Sequence, residues 1–274
     1  MSRNIDKPGI TAPALILDLL VSGGEALGAK DFARAGTLVG LSASTVRVGL
    51  NRLVGQGKIQ HTARGTYALI EDEDALTGML ARWHARSRAV VEWRNAWVGV
   101  LDADVLRSDK RAWRHHGLAL SLFGFKRLRS GLAIRPDNLR GGVPELRNQM
   151  LPLGLSTSAV VCRLDTLSPQ HEDEGRQLWK AAQLDSVDRF WFQRLKASAA
   201  HIRLLDPERA ALEALITGRA VIAHLMRDPL LPEQMRPSRS RAKLVEEALG
   251  YQKDARLLWR TWLDQVSGSG EGSS

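Results

Sequence analysis

The sequence predicts an α+β chain in three folded parts, and three observations predict it. Residues 36–70 hold a short amphipathic helix with a basic outer face, followed by two segments of alternating polarity. Residues 96–165 alternate between strand-like and helix-like segments, and from Glu174 the apolar spacing is helical almost to the end. The expected architecture is an N-terminal winged helix-turn-helix over 1–72 and a linker helix over 73–95. A small ferredoxin-like α/β middle domain follows over 96–168, then a helical C-terminal domain over 169–266 and a disordered tail over 267–274.

The first two helices are expected over Pro13–Val21 and Lys30–Val39, with Leu15, Ile16, Leu19 and Leu20 inward. Gly40 suits the positive φ that ends a helix, and Ser42 suits an N-cap. From there Val46, Leu50, Leu53 and Val54 fall on one helical face. Ser44, Val48, Asn51 and Arg52 point the other way, with Thr45 and Arg47 on the flanks. No carboxylate occurs between Asp31 and Glu71, whereas a merely solvated face normally mixes charge signs. Hydroxyl, amide and guanidinium groups match phosphates and major-groove base edges, and Val48 suits a thymine methyl. Lys58–Thr62 and Thr66–Ile70 then read as a hairpin closed by Ala63-Arg64-Gly65, with Arg64 at the tip facing a minor groove or a phosphate. The expected partner is double-stranded DNA, contacted by Ser42, Ser44, Thr45, Arg47, Val48, Asn51, Arg52 and Arg64.

Glu71-Asp-Glu-Asp74 is an acidic break whose carboxylates suit the positive end of a helix running from Ala75 to Trp93. In the middle part, Ala96–Leu101, Lys126–Ile134 and Ala159–Leu164 read as strands, and Ser108–Leu122 and Glu145–Leu153 as helices. The helical part breaks at Asp206-Pro207 and at Asp228-Pro229-Leu-Leu-Pro232. Leu178, Trp179, Leu184, Phe190, Trp191 and Leu195 suit the lining of a helical pair.

Net charge is +9, from 39 Lys+Arg against 30 Asp+Glu, which suits a polyanionic partner. Part of that excess lies outside the first domain, where ten cations from Arg107 to Arg147 face only Asp109, Asp137 and Glu145. The one cysteine, Cys162, excludes an intrachain disulfide and fits a reducing cytoplasm. No apolar run approaches the roughly 18 residues that span a bilayer, and no signal peptide is legible. Ser-His-Asp sets, phosphate loops and zinc spacings are absent too, so catalytic residues, metals and cofactors are not expected.

Four stretches resemble one family, the phenylacetic-acid-catabolism repressors (the PaaX family). They are Leu41-Ser-Ala-Ser-Thr-Val-Arg-Val-Gly-Leu-Asn-Arg-Leu-Val-Gly-Gln-Gly57, Gly124-Phe-Lys-Arg-Leu-Arg-Ser-Gly-Leu-Ala-Ile-Arg-Pro136, Gln177-Leu-Trp-Lys180 with Leu184, and Arg227-Asp-Pro-Leu-Leu-Pro232. They occur in family order and cover nearly the whole chain. The resemblance implies a cytoplasmic, dimeric bacterial repressor on a palindromic operator, released by a coenzyme A thioester of an aromatic acid. Carried over by position, it puts DNA contacts on Ser44, Thr45, Arg47, Asn51 and Arg52. The chain departs from the family in a shorter wing that keeps only Tyr67, and in the run Met235-Arg-Pro-Ser-Arg-Ser-Arg241 after Pro232.

A thioester effector needs cations for phosphate and aromatic walls for the acyl group. The candidates are Trp97, Arg111, Trp113, Arg114, His115, Lys126, Arg135, Trp179 and Trp191. Two other readings remain open. Asp102, just after the first middle strand, resembles the metal-holding aspartate of small nucleases of CRISPR adaptation, and an architectural DNA binder would need no effector.

Overall fold

The computed structural model describes residues 9–23, 25–63, 65–70, 76–81 and 83–268. It is an α+β chain with two antiparallel sheets. Among the described residues no helix is long and apolar enough to cross a membrane. The chain divides into two compact units, Met1–Glu73 with Phe192–Ile222 and Glu246–Ser274, and Asp74–Trp191 with Ala223–Val245.

In the first unit, helix α1 (Ala12–Gly23) is followed by β1 (Leu27–Gly28), α2 (Ala29–Leu38), α3 (Ala43–Gly55), β2 (Ile59–Ala63) and β3 (Thr66–Leu69). The strands form one antiparallel sheet in the order β1-β3-β2, with His61 opposite Tyr67 and a bulge between His61 and Ala63. The expected hairpin is present, and β1 adds a strand that is too short to show in the sequence pattern. Apolar residues at helical spacing bury Leu15, Ile16, Leu19 and Leu20 of α1 against Val46, Leu50 and Leu53 of α3. A methyl on Gly49 would stand 2.9 Å from Cβ of Ala12, so glycine there lets α1 lie against α3. The same core contains Ala211 and Leu215 of α9 (Pro207–Met226) and Trp259, Trp262 and Leu263 of α10 (Arg239–Gly268).

Asp18 on α1 faces Arg219 on α9 in an ion pair. Burial pushes its carboxyl up to about 6, against the pull of Arg219. A carboxyl raised by folding holds its proton more tightly in the folded chain. Its contribution to stability is therefore present below its unfolded value of about 4 and is lost as pH rises through about 6. Between pH 4 and 7, urea melts are expected to show the wild type losing up to about 3 kcal/mol relative to Asp18→Asn. Parallel curves would mean that Arg219 cancels the burial.

In the second unit, a short helix α4 (Leu76–Ala81) and a 3-10 helix (Trp83–Ala89) lead to β4 (Trp97–Leu101). Then come α5 (Lys110–Leu122), β5 (Lys126–Arg129), β6 (Leu132–Pro136), α6 (Gly142–Met150), β7 (Val160–Leu164), α7 (Pro169–Gln177) and the start of α8 (Ala181–Ile202). The sheet order is β5-β6-β4-β7, antiparallel throughout. Val98, Val100 and Ala133 on one face meet Ala119, Leu120, Leu146 and Met150 of α5 and α6. The other face packs Trp97 and Ile134 with Trp93, Trp179 and Leu231.

Four expectations need correction. Lys126–Ile134 is not one strand but two, turned at Ser130-Gly131. The segment 73–95 is not a continuous helix, and its buried Trp83 and Trp93 belong to a core rather than to a linker. Residues 169–266 are helical but form no domain of their own, because their apolar faces complete the cores of both units. The expected tail begins with two residues still in α10, and its remainder lies outside the described residues, as does the acidic break over 71–74.

Candidate nucleic-acid interface and an arginine-lined cleft

Helix α3 starts where Ser42 accepts a hydrogen bond from the Thr45 amide at 3.2 Å. Its hydroxyl also lies 2.8 Å from the hydroxyls of Ser44 and of Thr45, so three hydroxyls gather at the positive end of the helix. Ser42, Ser44, Thr45, Arg47, Asn51 and Arg52 are exposed, and Val48 leaves 67% of its surface to solvent. Among the described residues no ion pair holds Arg47 or Arg52. These two guanidiniums can donate to phosphates and to base edges without first breaking an ion pair. In β2, Gln60, His61, Thr62 and Ala63 are exposed beside it in sequence, while Arg64 lies outside the described residues.

The nine effector candidates do not gather in one place. Trp97 and Trp179 stack in the core, 6.1 Å apart between ring centres. Their indole N–H groups donate to Glu172 at 2.8 Å and to the Gly124 carbonyl at 3.1 Å, so neither ring is open to a ligand. Arg135 is buried and spends its donors on the carbonyls of Phe123 and Pro136 and on Asn138. Burial first, then the charge of Arg86, pulls it down to about 9, so it stays cationic at neutral pH. Trp191 is half-buried against Phe190 and His224. Arg111, Arg114, His115 and Lys126 are exposed, and Arg114 donates to the Lys110 carbonyl at 3.1 Å.

Only Trp113 of the nine lines a cleft of about 440 Å³, which it shares with Arg107, Arg127, Leu128, Arg129, Ser130 and Gly131. Arg107 and Arg127 lie 5.0 and 5.8 Å from the Trp113 ring. Arg127 forks onto both oxygens of Asp102, which is fully buried. The Ser156 amide donates to Nδ1 of His116 at 3.2 Å, so Nε2 carries the proton and donates it to Asp102 at 2.9 Å. Burial favours the neutral acid in Asp102, but the bonds from Arg127 and His116 prevail and hold its carboxyl below the usual range. Arg129 pairs with Glu174 at 2.5 Å. Sequence spacing alone did not single out Arg107, Arg127 or Arg129; reading Ser130-Gly131 as a two-residue turn would have put the last two on a hairpin arm.

Elsewhere in this unit the stretches 124–136, 177–184 and 227–232 come together. A methyl on Gly124, at φ 73°, would stand 2.6 Å from Cα of Pro229, and the Trp179 bond ends on the same glycine. Leu230 takes the left-handed conformation at φ 52°, where its amide donates to Asp228 at 2.8 Å and its carbonyl accepts from Asn138 at 2.8 Å. Arg236, from the run that departs from the family pattern, is only 3% exposed and bonds Asp185, Asp188 and Asp228. Burial opposes its charge, and the three carboxylates outweigh burial and raise its affinity for the proton.

No family model matches this chain, and no curated protein matches it. Among solved structures it is similar to the uncharacterized protein Rv0674 from Mycobacterium tuberculosis, with a TM-score of 0.55 and 21% identity. The likeness covers 90% of this chain and 98% of the other. At that identity it is a likeness of fold.

Proposed function

We propose that this chain is a bacterial transcriptional repressor that reads duplex DNA with α3. The observation that carries the proposal is the exposed face of Ser44, Thr45, Arg47, Asn51 and Arg52, which has no carboxylate from residue 32 to residue 70. The order helix, strand, helix, helix, hairpin supports a winged helix-turn-helix around it, and β4 to β7 follow the order expected of a ferredoxin-like domain. On this reading two copies bind a palindromic operator, with recognition helices about 34 Å apart, and an aromatic acyl-CoA thioester shifts that spacing and releases the DNA.

A fluorescence-anisotropy titration on the upstream promoter fragment, with and without acyl-CoA thioesters, tests the reading. Asn51→Ala or Arg52→Ala is expected to cost about 1–3 kcal/mol on the operator and to relax preference at one base pair. Equal loss on operator and random duplex would make the contact one to phosphate. Absence of any sequence preference in the wild type would end the repressor reading and leave an architectural binder.

The nuclease reading has less support. Both oxygens of Asp102 already accept from Arg127 and His116, which leaves it short of the free lone pairs that a divalent cation takes.

A further inference from the structure

The geometry points to the cleft between the β5–β6 hairpin and α5 as a binding site for a nucleotide-like anion, a ligand carrying phosphate beside a planar ring. Three guanidiniums, those of Arg107, Arg127 and Arg129, open onto it together with the Trp113 indole. No carboxylate is among its walls: Asp102 and Glu174 hold Arg127 and Arg129 without lining the space. Arg107 has no ion-pair partner among the described residues, and its guanidinium lies 5.0 Å from the centre of the indole.

Guanidinium forks match phosphate oxygens, and their planes stack on aromatic rings, so one set of side chains serves both halves of such a ligand. Arg127 uses only part of its donor set on Asp102 and leaves 40% of its side chain exposed. Because Asp102 is itself fixed by His116, this guanidinium loses little freedom when a ligand arrives. Ser130 and Gly131 of the hairpin turn complete the lining. A volume of about 440 Å³ falls among those that hold small ligands. The inference does not rest on the DNA-binding reading: binding is measured first without DNA, and a duplex enters only as a competitor.

Isothermal titration of the full-length chain with ADP, adenosine 3′,5′-bisphosphate, coenzyme A, inorganic pyrophosphate and benzoate decides it. At least one of the three nucleotides is expected to bind saturably at one site per chain. Pyrophosphate, without a ring, and benzoate, without phosphate, should bind at least about tenfold more weakly. Arg107→Ala should leave the melting temperature nearly unchanged, because the side chain is exposed and makes no ion pair among the described residues, and should weaken the nucleotide about tenfold. Arg129→Ala is the second variant, read against the same melting curve. The proposal is overturned if no nucleotide binds, if pyrophosphate binds as well as the nucleotides, or if neither variant changes the affinity. It is overturned as well if a DNA duplex displaces the nucleotide with undiminished strength from the Arg47→Ala/Arg52→Ala variant, which would give the cleft to nucleic acid.

Discussion

Replacing Arg236 by Met should destabilise the second unit by about 3–5 kcal/mol in urea melts, the range for removing one partner of a buried ion cluster. The side chain is almost wholly buried and divides its donors among Asp185 at 2.9 Å, Asp228 at 2.8 Å and Asp188. Methionine fills much of the same space but leaves three carboxylates facing one another. Arg241, 3.2 Å from Asp228, and His224, 2.7 Å from Asp188, are too few to neutralise them. The deficit should shrink as the pH is lowered towards 4, since protonated carboxyls no longer need a cation. A deficit that ignores pH would mean that shape, not charge, is what the arginine supplies.

Asp102→Ala is expected to cost about 3 kcal/mol, because it leaves the buried Nε2–H of His116 without an acceptor and frees the fork of Arg127. Asp102→Asn keeps an oxygen in place and should recover part of that loss. The pair of variants separates two roles. If the aspartate is structural, thermal stability follows the order wild type, Asn, Ala, and no magnesium-dependent nucleic-acid cleavage is present to be lost. If the wild type cleaves nucleic acid and Asp102→Asn abolishes this while melting like the wild type, the nuclease reading displaces the repressor.

The outer face of α3 was legible because it is a local property. Val46, Leu50 and Leu53 repeat at the helical period, and whatever they do not cover must face away. The hairpin after it was legible for the same reason, through its turn and its alternation. The β5–β6 hairpin was not. Ser130-Gly131 sits between cations and aliphatics on both sides, from Lys126 to Arg135, and the bulge between Arg127 and Arg129 breaks the period that would have exposed the turn. Trp97, Trp179 and Arg135 were reasonable pocket residues by type, yet each has a partner outside its own segment of chain. Trp97 reaches Glu172, Trp179 reaches Gly124 and Arg135 reaches Phe123. An arginine buried among carbonyls cannot be told from an exposed one until the backbone that offers those carbonyls is in place. The C-terminal helices show the same limit, since their period fixed that they were helices but not which core each would enter.

The indoles of Trp259 and Trp262 lie in the same apolar core as Phe32 and Leu50. A ribosome making this chain therefore releases every residue of α3 long before the last wall of its core exists. Contacts so distant in sequence form slowly and late, and the core that Leu15, Ile16 and Leu20 share with α3 stays incomplete until then. On the proposed reading, occupation of a promoter is thus tied to completion of translation: a message broken in the codons for α10 would encode every side chain of α3 and lack part of the core that holds it.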